Sequence, residues 1–283
     1  VFLKDGIVKD IFLKSGDVLV IGVILGYLTN ISAFFGVFKK DLEDIIYSKK
    51  FITVRNDLDS VWETVTKELF KSKFPSISKD LLNIIKENYL PLEKVSYYHD
   101  YNISTELSWL DYDRRILKSK TKITFELIAE DKNKFTFPVQ TWTDIEGLDE
   151  KDYSIKIVSY QVNGNEPDNF KETSQIKNNK HIYSYTVDLS GELRYEINQV
   201  FEKHYSFEKD FTICFKARYI INRFTVQLRY PENLKVSFLE RGTVKKFKEL
   251  NCSNDFIEMK YNDLLLPEQG YVIAMKERCN ILE

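Results

Sequence analysis

Three histidines, three cysteines and ten glycines in 283 residues leave few of the residue types from which recognisable active sites are built. Cys214, Cys252 and Cys279 are far apart and odd in number, so neither a CxxC zinc site nor a disulfide scaffold follows from them. The glycines form no GxGxxG and no Walker-type GK[ST], which argues against nucleotide hydrolysis by the folds that use those loops. There is no GxSxG elbow, and the histidines alternate with aromatic residues, as in Tyr97-Tyr98-His99 and His204-Tyr205, the pattern of strand packing. No catalytic constellation, cofactor or metal site is therefore assigned. A net charge of −2 supplies no field for a nucleic acid polymer.

Charge is wholly missing from one long stretch. Residues 18–38, VLVIGVILGYLTNISAFFGVF, carry no ionisable side chain. At roughly 1.5 Å per residue a helix of this length spans about 31 Å, close to the ~30 Å hydrocarbon core of a bilayer. The stretch reads as a transmembrane helix at 17–39, longer than a signal-peptide apolar core and without a small-residue cleavage site; the alternative, which Tyr27, Thr29, Asn30, Ser32 and three glycines leave open, is a fully buried central helix of a globular protein. Gly22 and Gly26 form a GxxxG pair, whose missing side chains allow a second helix to approach. Lys39, Lys40, Lys49, Lys50 and Arg55 follow the span against Lys4, Lys9 and Lys14 before it, which places the C-terminal part in the cytosol.

Residues 1–16 mix Phe2, Leu3, Ile7, Ile11 and Phe12 with Lys and Asp, as in an amphipathic segment at the interface or the tail of a preceding hairpin. A helical connector is expected over 40–92. Asn56 or Asp57 can cap a first helix with Leu58, Val61, Trp62, Val65 and Leu69 on one face, ending near Phe74-Pro75. A second begins at Ser76 or Ser78 and stops before Pro91, with the joint to the next domain at 91–95.

From 93 to 283 the apolar period shortens to two. Thr121, Ile123, Phe125 and Leu127 alternate with Lys122, Thr124 and Glu126, and similar strands are expected at 154–162, 182–189, 193–205, 211–220, 224–230, 234–239, 244–250 and 271–275. Asn163-Gly164-Asn165, Ser190-Gly191 and Arg241-Gly242 supply turns, and the polar stretch 166–180 reads as an exposed loop. The fold class is α+β: a transmembrane helix, a short helical hairpin, then a mostly antiparallel β-sandwich or barrel.

Two charge clusters stand out. Arg114, Arg115, Lys118 and Lys120, with Tyr98 as a stacking wall, are the candidate site for an anionic small ligand; the competing reading is a solvated strand face. The acidic run 144–152 surrounds Gly147 with hard oxygen donors of the kind calcium takes, but without EF-hand spacing.

Val37-Phe38-Lys39-Lys40, Phe51, Arg55-Asn56-Asp57-Leu58, Trp62 and Lys71-Ser72-Lys73-Phe74-Pro75, directly after an apolar span, resemble uncharacterised bacterial membrane-anchored proteins with a β-rich cytosolic domain. The architecture is similar to the transmembrane effectors of antiphage signalling. That resemblance implies an inner-membrane sensor whose β domain binds a nucleotide messenger and whose helices then self-associate. The alternative is a membrane-tethered scaffold that binds another protein.

Overall fold

The structure, a computed structural model, describes residues 58–89 and 96–278. The expected span at 18–38 with Gly22 and Gly26, the segment 1–16 and the joint at 91–95 lie outside the described residues. Among the described residues no helix is long and apolar enough to cross a membrane. The chain divides into two compact units, Val1–Leu82 and Asn83–Glu283.

Two helices are described before the strands begin. Helix α1 (Leu58–Lys73) ends where Phe74 N–H reaches the Phe70 carbonyl, with Lys71 and Lys73 in the last turn, where cations complement the helix dipole. Pro75 follows and cannot continue it. Helix α2 (Ser78–Tyr89) has Asp80 in its first turn and Lys86 in its last, again matching the dipole.

The rest is mostly antiparallel β structure. The strands are β1 (Ser96–Asp111), β2 (Ile116–Ala129), β3 (Phe135–Asp144), β4 (Ser154–Val162), β5 (Lys171–Lys177), β6 (Lys180–Leu189), β7 (Arg194–Ser206), β8 (Thr212–Lys216), β9 (Ile221–Arg229), β10 (Leu234–Arg241), β11 (Lys248–Cys252), β12 (Phe256–Leu265) and β13 (Gly270–Glu277). A seven-stranded sheet runs β11-β12-β9-β1-β2-β7-β4, and two three-stranded sheets run β10-β13-β8 and β3-β6-β5. Among the described residues every strand pairing is antiparallel except β1 with β9.

Both small sheets pack on one face of the large one, giving a sandwich-like arrangement around a single core. Phe137 of β3 meets Tyr98 and Phe125, and Tyr185 of β6 meets Tyr160 of β4. On the other side Phe215 of β8 lies 5.6 Å from Tyr101 and 4.9 Å from Phe224, while Phe238 of β10 meets Phe247. The many Phe and Tyr residues thus serve as the contact between layers.

Strands β3 and β12 lie where no strand was expected, and three other expectations are corrected. The stretch 166–180 is not all loop, because β5 occupies Lys171–Lys177 with all seven residues exposed, so no buried face wrote an alternation into the sequence. Its turn into β6 is made by Asn178 and Asn179, both at positive φ, a two-residue hairpin turn formed without glycine. The strand expected at 211–220 is shorter, and that at 244–250 lies later, since Val244 is exposed and β11 begins at Lys248. Asn163-Gly164 makes the expected turn after β4, with both residues at positive φ.

Candidate functional site

The basic run is placed by the β1–β2 hairpin, and alternation then separates its members. On β2, Ser119 and Thr121 turn into the sandwich, so Lys118 and Lys120 turn outward, whereas Tyr98 is buried inside. The lysines join a row of alternating charge across the outer face: Arg229, Glu106, Lys120, Glu202 and Lys156 are successive register partners. Arg114 binds Asp152 and lies 3.6 Å from Asp149, so the basic and acidic runs meet each other. Arg115 pairs with Glu277 and stands over the Tyr112 ring. The structure therefore does not bring Arg114, Arg115, Lys118 and Lys120 together with Tyr98, and among the described residues no cluster of metal-ligating side chains forms.

Glu202 carries a consequence of that outer row. Hydrogen bonds from Lys118 and then Lys156 pull its carboxyl down to about 2. A depressed carboxylate contributes stability above its unfolded value, near 4.5, and loses it as the pH falls towards 2. With both lysines partly exposed, salt and solvent limit the contribution to about 1 kcal/mol. Glu202→Gln is expected to flatten the acid limb of the stability profile between those two pH values and to leave its neutral-to-basic shape unchanged, as read by urea unfolding across pH.

A cleft opens inside the sandwich, in two adjoining lobes of about 720 and 300 Å³. The floor of the larger lobe is the inner face of the large sheet, with Tyr98, Tyr101, Phe125 and Phe201. Tyr98 and Tyr101 have ring centroids 5.2 Å apart, and Tyr101 stacks on Phe125 at 4.8 Å. Burial raises the Tyr98, Tyr101 and Tyr185 phenols, so all three remain protonated at neutral pH. The Tyr185 hydroxyl donates to the Gln199 amide oxygen.

The floor of the smaller lobe carries hydroxyl groups. Thr105 and Thr121 hydroxyls lie 3.1 Å apart on its floor, Ser119 is beside them, and Lys203 pairs with Asp210 at 2.8 Å. These inward polar residues have one sequence signature: Ser119 and Thr121 fall in phase with Ile123, Phe125 and Leu127, where an ordinary core strand would continue apolar. Trp142, Cys214 and Arg218 at the cleft have none.

The histidines do not supply an alternative centre. His99 is held by Asn222 and Arg223 at a bulge. His204 lies in register with Lys118 on the outer face, and burial followed by Lys118 lowers its basicity. Ser174 and His181 are 2.7 Å apart on the β5–β6 hairpin, but among the described residues His181 Nδ1 has no hydrogen-bond partner, so no third polar group orients the ring in the way the triad arrangement does.

No protein-family model and no curated protein matches the chain. Solved structures similar to it include a candidate protease from Parabacteroides distasonis, 11% identical with a TM-score of 0.41. Two others are a candidate nutrient-binding protein from Legionella pneumophila, 8% identical at 0.40, and leukotriene A4 hydrolase from Saccharomyces cerevisiae, 11% identical at 0.37. These matches cover 65%, 64% and 65% of this chain and 40%, 66% and 29% of the other proteins, so the chain spans less than two thirds of each. At such scores the likeness carries nothing about chemistry.

Proposed function

We propose that the chain is a membrane-anchored binding protein whose β unit takes up its ligand in the aromatic cleft and whose anchor, residues 18–38, turns occupancy into self-association. The observation that carries this reading is the cleft itself. Its larger lobe of about 720 Å³ has the size of a small-ligand site, an apolar floor and a few polar groups to fix orientation. The anchor rests on the charge-free run, and the cytosolic face of a bacterial inner membrane rests on the lysines that follow it. A role as a stress or antiphage effector rests on the resemblance in architecture.

The anionic nucleotide messenger finds less support than a ligand with apolar faces, because the basic run is matched by Glu202, Glu277, Asp149 and Asp152 away from the cleft. Membrane retention after carbonate extraction, with the β unit protected from external protease in intact cells, tests the anchor and its orientation. Binding without global change is read as a ligand-dependent rise in Tm. Gly22→Ile combined with Gly26→Ile is expected to abolish crosslinked oligomers in membranes without lowering the Tm of the β unit; unchanged crosslinking would remove that helix pair from the mechanism.

The scaffold reading draws on a different observation. The cleft is bordered by strand edges, which recognise polypeptide backbone.

A further inference from the structure

Strands β3 and β8 are both sheet edges, and they border the same cleft. Along β3 the lining includes Pro138, Val139, Gln140, Thr141 and Trp142, and along β8 Thr212 through Lys216. Consecutive residues of both parities line a space only when it runs along the strand's edge; a space against one face would select every second residue. The cleft is therefore a groove between two strand edges, roofless where the two small sheets fail to meet.

Hydrogen bonding at the strand ends identifies which backbone groups face the groove. Ile145 N–H donates to the Asn179 carbonyl, so the odd-numbered residues of β3 bond β6 and the even-numbered ones turn away. Pro138, which has no N–H to offer β6, obeys this parity, and its carbonyl accepts from Arg218 Nη1 at 3.3 Å. Gln140 and Trp142 then present both backbone groups to the groove. On β8, Met275 N–H donates to the Phe211 carbonyl and Ala217 N–H to the Gln269 carbonyl, so the odd residues bond β13. Thr212, Cys214 and Lys216 face outward. Among the described residues no strand pairs with either edge.

Arg218 contacts Pro138 near the start of β3, and the smaller lobe groups Gln140, Thr141 and Trp142 with Thr212 and Ile213 at the start of β8, so the two edges run in opposite directions. One strand laid between them would pair antiparallel with one and parallel with the other, as β1 does with β2 and β9. It would also join the two three-stranded sheets into a second layer of seven strands, matching the first.

We propose that this groove accepts an extended segment of another polypeptide as an added strand, with apolar side chains at alternate positions on the aromatic floor and acidic residues towards its ends. The strand character follows from the two free edges and the apolar side chains from Tyr98, Tyr101 and Phe125 beneath them. The acidic ends follow from charge. Lys203 and Lys216 are paired with Asp210 and Glu268, whereas Arg218 meets only a carbonyl and the Tyr219 ring, and Lys180, the register partner of Asp144, lies 3.8 Å over the ring of the groove-lining Trp142; neither forms an ion pair among the described residues. This inference rests on the reading of the cleft as a binding site and specifies its ligand class.

Cys214 provides the test, because it is an exposed thiol on the groove edge, while Cys252, exposed on β11, serves as an internal reference. The full chain in detergent micelles is alkylated with iodoacetamide and both sites are followed by mass spectrometry. Three probes are compared: a blocked peptide Asp-Phe-Thr-Phe-Thr-Asp, the same peptide N-methylated at both threonines, and 1-anilinonaphthalene-8-sulfonate, an aromatic anion without a peptide backbone. The expected result is that the first peptide slows alkylation of Cys214 by about 10-fold relative to Cys252 and that N-methylation removes the protection, since methylated amides cannot donate to an edge. Equal protection by both peptides, or protection by the aromatic anion alone, would overturn strand addition and leave ligand binding in the cleft standing. Protection by none of the three would overturn both.

Discussion

Replacing Gly270 with alanine is expected to detach β8 from β13 and to lower stability by about 3 kcal/mol, the upper range for forcing extra volume into a packed site. A Cβ at this position would collide with the Phe215 carbonyl oxygen and lie 2.9 Å from its carbonyl carbon and 3.3 Å from the Lys216 Cα. All three are backbone atoms, so no side-chain rotation relieves the overlap. The strand itself must move. Phe215 would move with it, away from Tyr271 at 5.7 Å and Phe224 at 4.9 Å. For a unit of this size the corresponding fall in Tm is about 6–12 °C. Urea unfolding of the variant checks the figure; a midpoint equal to the parent's would mean that β8 can shift without cost and is not a fixed wall of the groove.

Phe224→Ala is expected to have the larger effect, about 3–5 kcal/mol, because the ring is fully buried and its loss leaves a cavity bordered by other rings. Phe224 stacks on Tyr101 at 5.7 Å and meets Phe215, Tyr271 and Phe247 within 6.0 Å. It thereby links the floor of the cleft to the β8 wall. Phe224→Leu, which keeps most of the volume, should cost no more than about 1.5 kcal/mol. The two comparisons separate packing volume from anything particular to the ring. Gly270→Ala and Phe224→Ala should not add, since both act on Phe215, and a double-mutant cycle is expected to give an interaction of at least about 0.5 kcal/mol.

Much of the local structure was legible because each signal lies within a few residues. Phe74-Pro75 ended α1 where a proline must end it, and α2 began at Ser78 and stopped before Pro91. Strand β4 matched the expected 154–162, and β2, β6, β7 and β9 followed theirs closely, because one side of each is buried and alternation records that side. Strand β5 escaped because neither of its sides is buried, and the Asn178-Asn179 turn because asparagine adopts positive φ without the glycine that advertises it.

Charge was legible as composition and misleading as a site. Arg114 and Asp152 are 38 residues apart, and nothing near either predicts that they form an ion pair. Lys118 and Lys120 were correctly on one face of a strand, but register alone decides that Glu202 stands beside them.

The amino-acid sequence by itself determined the two helices and most of the strands, though not β3, β5 or β12, the absence of the familiar catalytic motifs, and the charge-free run at 18–38, since periodicity, motif spacing and charge are properties of neighbouring residues. Only the tertiary structure decided that β1 runs parallel to β9, that Arg114 of the basic run meets Asp149 and Asp152 of the acidic one, and that β3 and β8 border one cleft over an aromatic floor with edges that no strand among the described residues pairs. Those features depend on which distant strands become neighbours, and strand pairing is set by the burial of the whole sheet, not by any segment of it.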